Sequence, residues 1–71
     1  MTKKTLHFLR LSDPQPMRFE VLLGELRLDG PCSEEALRRA LSELKAKGYA
    51  IDRLDDFQVE RWELTAKGRG A

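Results

Sequence analysis

The stretch "ALRRALSELKAKGYAI", Ala36 to Ile51, decides how this chain folds. Leu37, Leu41 and Leu44 recur at intervals of four and three residues, so they line one side of a helix, with Ala40 flanking the stripe. The helix is predicted over Ser33–Lys47. Ser33 supplies a hydroxyl that accepts a hydrogen bond from a free backbone N–H of the first turn. Glu34 and Glu35 sit where the helix dipole favours negative charge, and Lys45 and Lys47 at the opposite end. Gly48 falls where a left-handed residue closes a helix.

Beyond Gly48 the pattern changes. Tyr49, Ile51, Val59 and Trp62 favour extended backbone, and apolar and polar residues roughly alternate. Two strands are predicted, Tyr49–Leu54 and Gln58–Leu64, joined by a turn at Asp55-Asp56-Phe57. Trp62 and Leu64 share a face of the second strand, which is expected to pack on the helices. The tail after Thr65 is expected to fray.

Towards the N-terminus, Phe19, Leu22, Leu23 and Leu26 predict an amphipathic helix over Met17–Leu28, opened by Pro16 and closed by Gly30-Pro31. Thr2–Leu11 is read as a further helix, with Leu6 and Leu9, and also Phe8 and Leu11, as candidates for its apolar face. The run from Thr5 to Leu11 also fits a strand. Pro14 and Pro16 end this segment, because proline disfavours a helical residue before it. The order is therefore three helices followed by a β-hairpin, an α+β arrangement in a single domain over residues 1–71.

Composition narrows the function. The hydrophobic fraction is 41% and the charged fraction 35%, which is globular rather than disordered. No apolar run approaches the roughly 20 residues of a membrane span, and no signal peptide is recognisable. A cytoplasmic protein without membrane association is expected. One cysteine, Cys32, and one histidine, His7, supply neither an internal disulfide nor a zinc site. Phosphate-binding glycine loops, carboxylate pairs and cofactor fingerprints are absent, so the expectation is no enzyme, no catalytic residue, no metal and no cofactor. Thirteen basic against twelve acidic side chains give a net charge of +1. A nucleic-acid binder ordinarily shows a basic excess. Here any basic patch must come from local segregation.

In combination, three stretches resemble the winged helix-turn-helix family, of the MarR and PadR type of bacterial regulators. "ALRRALSELKAKGYAI" resembles a recognition helix, its terminating glycine and the first wing strand. "WELTAKGRG" resembles the second wing strand with a Leu-Thr-x-x-Gly-Arg ending. "LHFLRLSDPQPMRFEVLLGEL" resembles the first helix, a connection and the second helix. The resemblance spans nearly the whole chain. It implies a small winged helix-turn-helix that binds double-stranded DNA as a transcriptional regulator or accessory factor. The third helix would enter the major groove and the hairpin would lie on the backbone. It also implies a homodimer or a protein partner, because one domain of this size offers little specificity.

On that arrangement Arg39 and Ser42 reach base edges, while Arg38 and Lys45 hold phosphates. Ser33 opens the helix beside them, and Arg53 and Arg61 follow the backbone from the wing. A plainer reading stands beside it. Glu34–Arg38, Glu35–Arg39 and Glu43–Lys47 are spaced as ion pairs along a solvated helix. Asp52, Asp55, Asp56, Glu60 and Glu63 are interleaved with the wing cations. A protein-interaction module on the same fold is therefore the alternative function, with Phe57 or Phe8 as anchor. Phe57 itself is expected to fold back onto the sheet. Cys32 reads either as a thiol activated by the helix N-terminus or as a small apolar filler, the commoner role.

Overall fold

Ser33 begins the decisive helix as its chemistry requires. Its backbone is extended and its hydroxyl oxygen accepts from the Ala36 N–H at 3.0 Å. The structure, a computed structural model, describes residues 2–13 and 15–70; Pro14, one of the two prolines expected to end the first helix, lies outside the described residues. The elements run α1 (Thr2–Ser12), β1 (Met17–Arg18), α2 (Phe19–Asp29), α3 (Glu34–Ala46), β2 (Ala50–Leu54), β3 (Glu60–Leu64) and α4 (Ala66–Gly70). Helix α3 closes as predicted. Gly48 takes φ +78°, its N–H donates to Lys45 O at 3.0 Å, and the Tyr49 N–H donates to Leu44 O at 2.9 Å. These two bonds satisfy carbonyls that the helix end leaves free.

The expected three helices and the hairpin are all present, and α1 is helical rather than extended. Leu37, Ala40, Leu41 and Leu44 of α3 are buried, with Leu9 of α1 and Phe19, Leu22 and Leu26 of α2. Ala50, Trp62 and Leu64 complete the core, so the sheet packs on the helices through the face that carries Trp62 and Leu64. Helix α1 packs on both α2 and α3, and Lys4 pairs with Asp29 at 2.7 Å across the α1–α2 contact.

Two elements lie beyond the expected set. Met17 and Arg18 do not begin α2; they form β1, which pairs antiparallel with β3 through Met17↔Trp62 and Arg18↔Arg61. The sheet therefore has three strands in the order β1-β3-β2. A two-residue strand has no periodicity of its own, and only the partner strand makes it extended. Residues 66–70 of the tail do not fray either; they form α4. The Thr65 N–H donates to Tyr49 O at 3.0 Å, and the Gly68 N–H donates to Thr65 Oγ1 at 3.1 Å, which caps α4. Arg69 then grips both oxygens of Asp13 at 3.0 Å, tying α4 to the end of α1. The Leu-Thr-x-x-Gly-Arg ending is thus a docking device. Thr65 caps α4, Gly68 makes the close approach, and Arg69 is the clasp.

The apolar surface differs from expectation at two residues. Phe57 stands out from the wing at 82% exposure instead of folding onto the sheet, and Leu11 is exposed at the end of α1. The turn holding Phe57 is longer than three residues. Asp55 accepts from the Phe57 N–H at 2.8 Å and the Val59 N–H at 3.0 Å, and Gln58 takes φ +59°. That closure directs residue 57 away from the sheet.

Candidate nucleic-acid interface

Helix α3 presents to solvent a shallow open furrow lined by Glu34, Glu35, Arg38, Arg39 and Ser42. These side chains lie opposite the leucine stripe, so burying Leu37, Leu41 and Leu44 is what leaves them free. Arg39 is 78% exposed and its Nη2 meets Glu35 at 2.7 Å. Ser42 is exposed beside it. Ser33 belongs to the start of the helix, where its oxygen is engaged by the cap.

Arg38 is held quite differently from Arg39. Its guanidinium lies over the Phe19 ring at 4.2 Å. Its Nε faces Glu34 at 3.5 Å and its Nη1 donates to Glu60 at 3.2 Å. Glu60 also accepts from the Trp62 indole N–H at 2.5 Å. Arg38 therefore joins α2, α3 and β3, at the side of a recess of about 270 Å³ between Phe19, Glu20, Gln58, Val59 and Glu60.

The remaining predicted cations are paired across the wing. Lys45 meets Asp52 at 2.7 Å, Arg53 meets Glu63 at 2.8 Å and Arg61 meets Asp55 at 2.8 Å. The Asp52 carboxyl lies below its ordinary pKa chiefly through its hydrogen bond with Lys45. Asp55 is lowered by the backbone N–H of Val59 first and by Arg61 second. The structure thus brings Arg38, Arg39 and Ser42 onto one helix face and puts Lys45 beside β2. Arg53 and Arg61 fall on the sheet. All five predicted cations are ion-paired, against six carboxylates in total.

One basic residue escaped the sequence reading. Arg18, assigned there to a helix, is directly opposite Arg61, which is directly opposite Arg53 on the other side. No sequence signal shows this, because the row exists only once three separated segments pair.

Among the described residues, no group of three or more His, Cys, Asp or Glu side chains is placed to hold a metal ion. No helix there is long and apolar enough to cross a membrane. Cys32 is a half-buried free thiol packed at the margin of the core.

Helices α1–α3, a β-strand between the first two, a hairpin flanking the third and the short α4 after it define a winged helix-turn-helix, an α+β fold. Among solved structures, a point mutant of ZitR from Lactococcus lactis matches this chain with a TM-score of 0.74 and 22% sequence identity. The match covers 93% of this chain and 44% of that one, so the chain spans less than half the length of that protein. At this identity the likeness is one of fold. No protein-family model matches the chain, and no curated protein matches it.

Proposed function

We propose that this chain binds double-stranded DNA, with α3 in the major groove and the β2–β3 wing beside it, as a transcriptional regulator or accessory factor of the MarR or PadR kind. The carrying observation is the uncovered polar face of α3, with Arg39 exposed beside Arg38 and Ser42, set on a winged-helix frame. A helix that packs on its domain by one side and leaves the other uncovered at this position is the element such folds insert into a groove. The structural likeness to ZitR supports the same reading at the level of fold. A second protomer related by two-fold symmetry would double the contacts that one small domain supplies. A bacterial, cytoplasmic setting accords with this role.

A specific observation favours a second reading, a protein-interaction module. Six carboxylates surround the five predicted cations, and Leu54 and Phe57 are exposed at 69% and 82% on the wing. Titration of isotope-labelled protein with a random-sequence duplex, at low salt and then rising salt, separates the two. DNA binding predicts amide shifts concentrated in α3 and the wing. It also predicts a slope of log K against log salt of about −2 to −4, at roughly 0.9 for each phosphate engaged. Absence of binding at low ionic strength would leave the interaction module as the function.

A further inference from the structure

We infer that the outer face of the three-stranded sheet is a phosphate-contact surface built on an arginine row, with Arg18 as its principal anchor. The ligand is the phosphodiester backbone of duplex DNA. This rests on the DNA-binding reading above, which already lays Arg53 and Arg61 of the wing on the backbone, and adds to it Arg18 and the strand β1 that carries it.

The strand pairing fixes the row. Arg18 of β1 is opposite Arg61 of β3, and Arg61 is opposite Arg53 of β2. Directly opposite residues share a face. Trp62, next to Arg61 in β3, is buried in the core, so the arginines occupy the other face. With strands about 4.8 Å apart, the three side chains leave the sheet along a line about 10 Å long.

Such a row costs stability. Like charges directly opposite each other in a sheet are destabilising, and here that happens at two consecutive pairs. Compensation within the fold is partial. Glu63 pairs with Arg53 at 2.8 Å, and Asp55 pairs with Arg61 at 2.8 Å while also accepting from two backbone N–H groups. Arg18 is exposed and has no ion pair or hydrogen-bond acceptor for its side chain among the described residues. Three guanidinium groups therefore share two carboxylates. On the α3 side the balance is reversed, since Arg38 alone is shared between Glu34 and Glu60 and Arg39 is matched by Glu35. The surplus positive charge near the wing thus lies on the sheet. A planar, always-charged guanidinium is the side chain suited to a phosphate oxygen pair. A local rule broken with only partial internal compensation is expected at a functional site, and Arg18, the uncompensated member, is the one left for an outside partner.

The test compares Arg18→Gln, Arg18→Lys and Arg10→Gln in the full chain. Arg10 is an exposed cation of α1, likewise without an ion pair among the described residues, and controls for net charge. Each variant is titrated with a random-sequence duplex across a range of salt, and melted without DNA. Arg18→Gln should melt at or above the parent temperature, because the row loses a repulsion. It should also bind the duplex severalfold more weakly at low salt, with a salt slope shallower by about 0.9. Arg18→Lys should keep the slope, and Arg10→Gln should leave both slope and affinity unchanged. An unchanged slope in Arg18→Gln, or an equal loss in Arg10→Gln, overturns the inference while the DNA-binding reading stands. Parent protein that binds no duplex at low salt overturns both. A final arm adds inorganic phosphate at constant ionic strength. Saturable shifts at the strand amides with free phosphate, in a protein whose duplex binding ignores Arg18→Gln, would assign the row to a small anion and overturn the inference.

Discussion

Replacing Gly68 by alanine places a methyl group against backbone. The added Cβ would lie 2.0 Å from the Tyr49 carbonyl oxygen, 2.9 Å from its carbonyl carbon and 3.1 Å from Leu64 Cδ2. Carbon and oxygen settle at about 3.3 Å, so the two segments must part by about 1.3 Å. The Tyr49 carbonyl cannot move freely, because it accepts from the Thr65 N–H at 3.0 Å. Helix α4 cannot move freely either, because Gly68 is bonded to Thr65 and Arg69 to Asp13. Overpacking costs about 1–3 kcal/mol and one weakened hydrogen bond about 1 kcal/mol. Alanine returns about 1 kcal/mol through its helix propensity. The net is a loss of about 2 kcal/mol, or roughly 8–16 °C of melting temperature in a domain of this size. Gly24→Ala is the internal control. Gly24 is exposed in the middle of α2 with nothing within 4 Å of the added Cβ, so propensity acts alone and the gain is about 0.5–1 kcal/mol. Thermal melts followed by circular dichroism read both, and hydrogen exchange at Thr65, Gly68 and Arg69 reports whether α4 lifts off. A Gly68→Ala protein melting within about 2 °C of the parent, or a Gly24→Ala protein damaged as much, would refute the docking of α4 through a backbone contact.

Other outcomes follow from the same geometry. Ser33→Ala removes the acceptor for the Ala36 N–H and should destabilise by about 1 kcal/mol in chemical denaturation, whereas Ser33→Asp should restore most of it. Asp29, Glu43, Asp52 and Asp55 all have lowered carboxyl pKa values, through Lys4, Lys47, Lys45 and the Val59 N–H respectively. Their stabilisation is fully present above the ordinary carboxylate pKa near 4 and is lost as pH falls through the lower folded values. The melting temperature should therefore be flat from pH 7 to about 5 and drop below about 4, and Asp55→Asn should reduce that drop. Phe57→Ser should change the melting temperature little, because the ring is 82% exposed; a clear loss of stability would show that the ring is packed in solution.

Much of the helical frame was legible in the sequence. Leu37, Leu41 and Leu44 repeat at helical spacing, Ser33 and Gly48 have the chemistry of caps, and Trp62 and Leu64 fall on one face of an extended stretch. These are short-range facts: a helix satisfies its backbone through neighbours in sequence, and side-chain alternation along a strand is set residue by residue. The plainer reading of the α3 surface was legible too. All three predicted i,i+4 pairs form, at 3.5, 2.7 and 3.0 Å.

Other features depended on segments distant in sequence. Met17 and Arg18 are extended because β3 supplies their hydrogen-bond partners. Residues 66–70 are ordered because Tyr49, Gly48 and Asp13 receive this segment. Arg38 rests on Phe19 and Glu60, residues from two other elements, which no spacing within α3 reveals. The sequence by itself determined that three helical segments precede a hairpin, how α3 is capped at both ends, and which side of α2 and of α3 is apolar. The tertiary structure alone decided the third strand, the docked α4, the fixed Arg38 and the line of Arg18, Arg61 and Arg53. The reason is physical: periodicity and capping act over a few residues, whereas strand register, ion pairs between elements and close backbone approach exist only after distant segments have met.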